Sequence, residues 1–231
     1  IVQATYDSNT GLVKRSGFEF HVNRALQSAK VAGEPHAVFI IDVDRMQVIN
    51  DTLGYDAGDM IIDRMATVFT DAVRSGDTVA RVSGDEFGVV LPNCELGEAK
   101  KVALKFVAAI DDMPLSWNNN NIEVSVSIGV SPVTADHKNV DAVIAAAEVA
   151  CSSVKDRGGN GVSLYRSGDE DLVRRRSYMD LVGRIQDTLR SDRFELYCQA
   201  IAPLQPGDQG SHGEVLLRML DEAGDIIAPG L

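Results

Sequence analysis

Cysteine is scarce and unpaired: Cys94, Cys151 and Cys198 are the only ones in 231 residues, and none stands in a C-x-x-C. That excludes a disulfide framework and a zinc finger or ribbon, and three free thiols suit a reducing cytosol. His21, His36, His137 and His212 have no metal-ligand spacing and read as structural or surface residues. No apolar run approaches the ~20 residues that span a bilayer, and no signal peptide opens the chain. The segment therefore reads as cytoplasmic and free of membrane contact. It starts abruptly, so an upstream sensory or membrane-anchoring region is expected in the full-length protein. Basic residues are also short, 22 Lys and Arg against 34 Asp and Glu, for a formal net charge of -12. Phosphate backbones are held by clustered Lys and Arg, so no nucleic-acid partner is expected. The single basic run, Arg174-Arg175-Arg176, follows Asp169-Glu170-Asp171 and reads as the solvated start of a helix. There is no G-x-x-x-x-G-K-[ST] phosphate loop.

What remains is an ordinary globular composition, 45% hydrophobic and 24% charged, long enough for one full domain and a fragment. Strand-like and helix-like stretches alternate from about Phe18 to Tyr165. Phe18, Val22, Ala25, Leu26 and Ala29 have helical spacing. Ala37–Ile41 is apolar at every position, the mark of a central strand buried on both faces. Further helices are expected over Asp59–Val73, Glu98–Ile110 and Val140–Val154. Strands are expected over Val79–Val82, Phe87–Leu91 and Val162–Tyr165, and over Ile122–Val130, where alternation predicts one wet face. Asn118–Asn121 reads as a hairpin tip or loop. The alternation predicts a layered α/β sheet.

Four polar clusters interrupt this pattern. Asp42-Val43-Asp44 closes the buried strand, at the carboxyl edge where α/β ligand sites form. Asn50 to Gly54 and Gly58-Asp59 share one loop–helix unit. Ser83-Gly84-Asp85-Glu86-Phe87 is a tight turn between two strands. Lys155 and Asn160 flank Gly158-Gly159. Carboxylates on neighbouring strand ends, Asp42 and Asp85, with the Val43 carbonyl, suit Mg²⁺, which leaves its other positions to water and phosphate oxygens. Gly84 leaves room for a phosphate beside the main chain. Each cluster also has a plain structural reading: a helix cap for Asp42 or Asp44, a hairpin turn around Gly84, a turn at Asn50 and Gly54, a helix end at Lys155.

The order and spacing of these elements resemble the GGDEF family over residues 5–166. The resemblance runs through Thr10-Gly11-Leu12-Val13-Lys14-Arg15, Ile41-Asp42-Val43-Asp44 and Ile49-Asn50-Asp51-x-x-Gly54-Tyr55-x-x-Gly58-Asp59. It continues through Arg74-x-x-Asp77, Arg81-Val82-Ser83-Gly84-Asp85-Glu86-Phe87, Ser127-Ile128-Gly129 and Lys155-x-x-Gly158-Gly159-Asn160. It implies an α/β (α+β) fold with a central, mostly antiparallel sheet flanked by helices, related to the nucleotidyl cyclase and polymerase palm. It also implies a diguanylate cyclase, in which a homodimer holding one GTP in each half makes cyclic di-GMP with Mg²⁺ or Mn²⁺. Asp42, Val43 and Asp85 would hold the metal, and Asp85 or Glu86 would assist deprotonation of the attacking hydroxyl. Asn50 and Asp59 would read the guanine, Ser83 and Gly84 would border the nucleotide, and Lys155 would meet the terminal phosphates. Arg74 and Asp77 match an inhibitory site for product, where a plain reading is a surface salt bridge worth little.

Four departures stand against this pattern. Ser83 replaces the first glycine of the signature and is strained if φ is positive there. Tyr55 replaces a histidine, Gln47 a lysine and Gly159 an arginine. The last two would thin the phosphate clamp, at about 1.5–3 kcal/mol for each lost charged hydrogen bond. A second resemblance, to EAL phosphodiesterases, rests on Phe194–Ile201 and Glu214-Val215-Leu216-Leu217-Arg218. It implies that Glu214 binds metal and Gln199 faces the dinucleotide. A TIM-like barrel takes ~250 residues, so this reads as a truncated fragment without hydrolytic activity. The expected layout is a GGDEF domain over 1–166, a linking helix over 167–192 and the start of an EAL domain over 193–231. The alternative to an active cyclase is a weak GGDEF module that binds GTP or cyclic di-GMP and regulates an attached EAL phosphodiesterase.

Overall fold

A strand that is apolar at every position must be covered on both faces, and Ala37–Ile41 is. The computed structural model describes residues 6–118, 120–166, 185, 188–201, 212–221 and 226–227. The chain divides into two compact units, Ile1–Leu172 and Val173–Leu231. The first runs β1 (Val13–Lys14), α1 (Arg15–Ala32), β2 (His36–Val43), α2 (Met46–Leu53), α3 (Tyr55–Ala72), β3 (Thr78–Ser83) and β4 (Glu86–Leu91). It continues with α4 (Leu96–Asp111), β5 (Ser116–Trp117), β6 (Asn120–Asn121), β7 (Val126–Val133), α5 (Val140–Lys155) and β8 (Gly161–Leu164). Six strands form one sheet in the order β1-β3-β4-β2-β7-β8. Its inner pairs are antiparallel, and only the edge pairs β1–β3 and β7–β8 are parallel.

Alternation along β2 sorts the two cores. Ala37, Phe39 and Ile41 face α3 and α4, where Phe69, Phe87 and Phe106 pack edge to face or tilted. Val38 and Ile40 face α1 and α5, against Phe18, Leu26, Val143 and Ala147. His36, at the start of β2, is structural as expected: it is buried, and its Nδ1 accepts the Asn93 amide at 3.1 Å.

β7 corrects the sequence reading. The strand begins at Val126, not Ile122, whose amide instead bonds the Leu115 carbonyl after the short β5–β6 hairpin. Nor has it a wet face, because Ser127 and Ser131 are fully buried. Ser127, Gly129 and Ser131 are small because α5 lies close above them. A Cβ on Gly129 would stand 2.0 Å from the Ala147 carbonyl oxygen and 2.2 Å from the Cys151 nitrogen. Polar residues on a strand thus marked a close helix, not solvent. Asn50 also differs from a turn residue, since it lies inside α2.

The second unit is described as β9 (Phe194–Ile201), β10 (His212–Leu220) and β11 (Ile226–Ile227), all antiparallel. Across β9 and β10, Gln199 is directly opposite Glu214, and Leu196 opposite Leu217. Most of the linking helix expected over 167–192 lies outside the described residues.

Candidate functional site

Asp42 pairs in register with Glu86 on β4 and with Ser127 on β7. Directly opposed residues in a sheet share a face. These three therefore form a row continuing the Ile40 side, toward α1 and α5. Helix α5 meets the row with residues three and four apart. Cys151 Sγ donates to the Ser127 carbonyl at 3.1 Å, and Lys155 Nζ pairs with Asp42 Oδ2 at 2.6 Å. Glu148, one turn earlier, acts electrostatically on Glu86 and is itself drawn by Arg15 at the start of α1. Burial pushes the Cys151 thiol up to about 12, so it is an inert packing group.

The β3–β4 hairpin completes the site. Val43 N–H donates to the Asp85 carbonyl at 3.2 Å, which seats the turn beside the end of β2. A Cβ on Gly84 would meet nothing within 4 Å, so the space expected beside the main chain is open. Ser83 is not among the residues with positive φ, and the strain considered for it is absent. The hairpin is held from behind by a residue to which sequence reasoning gave no role. The Arg81 guanidinium donates to the Gly84 carbonyl at 2.8 and 3.1 Å, and to Asp7 Oδ1 at 3.2 Å. Asp7 in turn accepts the Thr10 amide and hydroxyl at 3.0 and 2.8 Å. Burial raises the Asp7 carboxyl, but Thr10 and Arg81 together hold it below its ordinary value. The Thr10-Gly11 segment is thereby tied to the Ser83–Glu86 turn through Asp7 and Arg81, which are 74 positions apart.

Negative charge accumulates along the row. Burial is the first cause that raises the Asp42 carboxyl, and Asp85 and Asp44 add to it; Lys155 opposes them without reversing the direction. Lys155 itself is held up by Asp42 despite its burial. The ion pair favours charge on both partners, and it is burial first, with the neighbouring carboxylates after it, that leaves Asp42 short of compensation. Burial, Glu148 and Asp42 raise Glu86 in the same way. Among the described residues no group of three or more His, Cys, Asp or Glu side chains is gathered so as to hold a metal ion by itself. Two carboxylates and a carbonyl, with an ammonium already on Asp42, nevertheless fit a hard divalent cation that completes its shell from water and phosphate.

A stability prediction arises here. Glu148 is raised, chiefly by burial. Its folded-state contribution is therefore present below the ordinary 4.5 and lost as pH rises through the higher folded value. Glu148→Gln should melt above the wild type at about pH 7, with the gap closing near ~pH 4. A melting curve lower at neutral pH would sink this assignment.

The remaining candidates fall into separate places. Asn50 Oδ1 is buried with no partner and lies over Gly58, where a Cβ would come within 2.0 Å of it. Asp59 is exposed on α3, one turn from Tyr55, which is 76% exposed. Arg74 and Asp77 are closed on each other at 2.8 Å, with the Asp77 side chain only 5% exposed, and Arg74 also donates to the Pro92 carbonyl. Gln199 and Glu214 belong to the second unit. A cavity of about 840 Å³ is lined by Asp44, Arg45, Ile49, Asp111, Leu115 and Asn160 among others. Neither Asp42 nor Asp85, Glu86, Asn50, Asp59 or Lys155 lines it, so the open volume and the carboxylate row are different places.

The family described as "Diguanylate cyclase, GGDEF domain" matches residues 4–161. A probable diguanylate cyclase of Escherichia coli K12, DgcE, is 30% identical over 178 residues, which are 77% of this chain and 16% of that protein. The cyclic di-GMP phosphodiesterase PdeB of Shewanella oneidensis is 29% identical over 227 residues, 98% of this chain and 26% of PdeB. This chain thus spans 16% of one relative and 26% of the other. The solved structure of an N-terminally truncated YfiN (TpbB) from Pseudomonas aeruginosa, comprising only its GGDEF domain, superposes with a TM-score of 0.68 at 30% identity, covering 73% of this chain and 99% of that one.

Proposed function

This chain belongs to the GGDEF family of diguanylate cyclase domains, and from that premise we propose that it condenses two GTP molecules to cyclic di-GMP. The convergence of Asp42, the Asp85 turn and Lys155 at one strand end carries the reading. Asp42, Asp85 and the Val43 carbonyl would hold Mg²⁺ or Mn²⁺, which when bound supplies Lewis-acid stabilisation of charge on the reacting phosphate. Asn50, whose Oδ1 lacks a partner, and Asp59 bind the guanine edge. Lys155 exchanges Asp42 for the terminal phosphates. The 3′-hydroxyl of one nucleotide attacks the α-phosphorus of the other and gives its proton to Glu86 or Asp85. The bond from the α-phosphorus to the bridging oxygen breaks, and pyrophosphate leaves with the electron pair. Burial raises the Glu86 carboxyl, which suits it to accept that proton. Because each bond needs the other nucleotide's hydroxyl, two copies of the chain face each other, each holding one GTP. Product would open the Arg74–Asp77 pair and bind there.

A second reading has its own support. Gln47 and Gly159 remove two cations from the phosphate clamp, and the likeness to a phosphodiesterase spans 98% of the chain. On that reading the domain binds GTP or cyclic di-GMP and regulates an EAL phosphodiesterase that begins at Phe194, with Gln199 and Glu214 in its site.

The test is incubation of the purified chain, stripped of bound nucleotide, with GTP and Mg²⁺, and chromatography of the products beside an Asp85→Ala control. Cyclic di-GMP that disappears in the control supports the cyclase. No product, with GTP still bound, favours the regulatory module.

A further inference from the structure

The plain structural reading of Asp44 from sequence, a helix cap, does not hold in this structure. The residue at the N-cap of α2 is Arg45, and no side chain caps that helix. Asp44 instead turns toward β7 and the end of α5. Its Oδ1 accepts the Ser127 hydroxyl at 2.6 Å; its Oδ2 accepts the Ser125 hydroxyl at 2.7 Å and the Asn160 amide at 2.9 Å. The segment it grips is a left-handed reversal. Gly158, Gly159 and Asn160 all have positive φ, at 108°, 83° and 47°. The Gly158 amide bonds the Lys155 carbonyl and the Gly159 amide the Val154 carbonyl, at 3.0 and 3.1 Å, the Schellman pattern of a helix end. The glycines take this conformation freely, whereas Asn160, a non-glycine residue at positive φ, is held there by surrounding contacts. Asp44 supplies such contacts, with a second tie from Asn160 Nδ2 to Asp111 at 3.3 Å.

We infer that Asp44 is a positioning residue: its carboxylate latches the Gly158–Asn160 reversal onto the sheet and so fixes Lys155 against Asp42. The latch also accounts for glycine at 159. A Cβ there would stand 2.7 Å from Asp44 Oδ2, at a φ that side chains disfavour, so the arginine of related sequences and this close grip compete for the same space. The loss of one phosphate-binding cation is thus coupled to a tighter hold on the other, Lys155.

The role in phosphate binding rests on the GTP reading above, and the latch itself does not, so the test has two arms. Asp44→Asn is nearly isosteric, and Ser125→Ala removes one anchor without touching a charge. In the full chain, amide exchange at Asn160 should accelerate at least ~10-fold in Asp44→Asn, the change that a lost charged hydrogen bond gives. Calorimetry should show GTP binding weakened by a similar ~10-fold and GMP, which lacks the terminal phosphates, unchanged. Ser125→Ala should move both in the same direction by less. Unchanged exchange at Asn160 overturns the latch. Faster exchange with equal losses for GTP and GMP overturns the positioning of Lys155. Should the wild type bind no GTP at all, the cyclase reading fails and the positioning claim with it, while exchange at Asn160 still decides the latch.

Discussion

Asp42→Asn is expected to lower cyclic di-GMP formation by on the order of 10²–10³-fold, the loss that follows removal of one charge-stabilising group from an active site, without lowering the melting temperature. The two effects have one cause. The Asp42 carboxyl is raised by burial first and by Asp85 and Asp44 next, and the Lys155 ion pair does not cancel them. A raised carboxyl contributes stability below its ordinary 3.8 and forfeits it as pH climbs through the folded value. At neutral pH the ionised side chain is therefore a cost to the fold, one that the proposed cation would offset. Asparagine removes that cost and the function together. Lys155 is half exposed and can turn to solvent once its partner is neutral. The check is to measure initial rates and thermal unfolding on one preparation, at neutral pH and again near ~pH 4, where any advantage of the asparagine should vanish. Undiminished rates would remove Asp42 from the chemistry. A variant melting well below wild type at neutral pH would mean that the ion pair outweighs the crowding.

Much of this arrangement was legible in the chain, and the reasons are local. Ala37–Ile41 could only be a strand covered on both faces, and Phe18 to Ala29 could only bury one stripe of a helix. The Ser83–Glu86 turn and the glycines after Lys155 are punctuation with few alternatives. What escaped was the use made of small polar residues. Ser127 looks like a wet position of an alternating strand, and hydropathy cannot distinguish a serine facing water from one that lets a helix approach. Asp44 escaped for the same reason: its three partners, Ser125, Ser127 and Asn160, lie about 80 to 116 positions away, and pairing at that distance leaves no periodic signal. Arg81 was visible only as a letter of a motif, whereas its work is to join Asp7 to the Gly84 carbonyl. Asn50 was displaced from turn to helix because α2 runs on to Leu53, with Gly54 as its C-cap.

The same close approach of helix and strand yields the largest expected effect on stability. Gly129→Val should cost about 3 kcal/mol or more, beyond the usual penalty for overpacking, because the atoms in the way are main chain. The new Cβ would start 2.0 Å from the Ala147 carbonyl oxygen and 2.2 Å from the Cys151 nitrogen, and neither can rotate aside. Helix α5 must lift from β7, which opens the packing of Val143, Ala147 and Cys151 on the core that also holds Phe18 and Leu26. At ~2–4 °C per kcal/mol for a domain of this size, the melting temperature should fall by about 6–12 °C. Gly88→Ala provides the comparison. There the nearest atoms, at 2.6 to 2.8 Å, are the far edge of the Phe18 ring, which can tilt, so the loss should be smaller. The helix that lifts also carries Lys155, so the damage extends to function: the 2.6 Å pair with Asp42 should open, and GTP affinity should fall with stability. Thermal unfolding of both variants by circular dichroism, with GTP titrated into the folded fraction, tests the chain of cause. If Gly129→Val melts with the wild type, α5 does not sit on β7 at this distance, and the placement of Lys155 that depends on it falls as well.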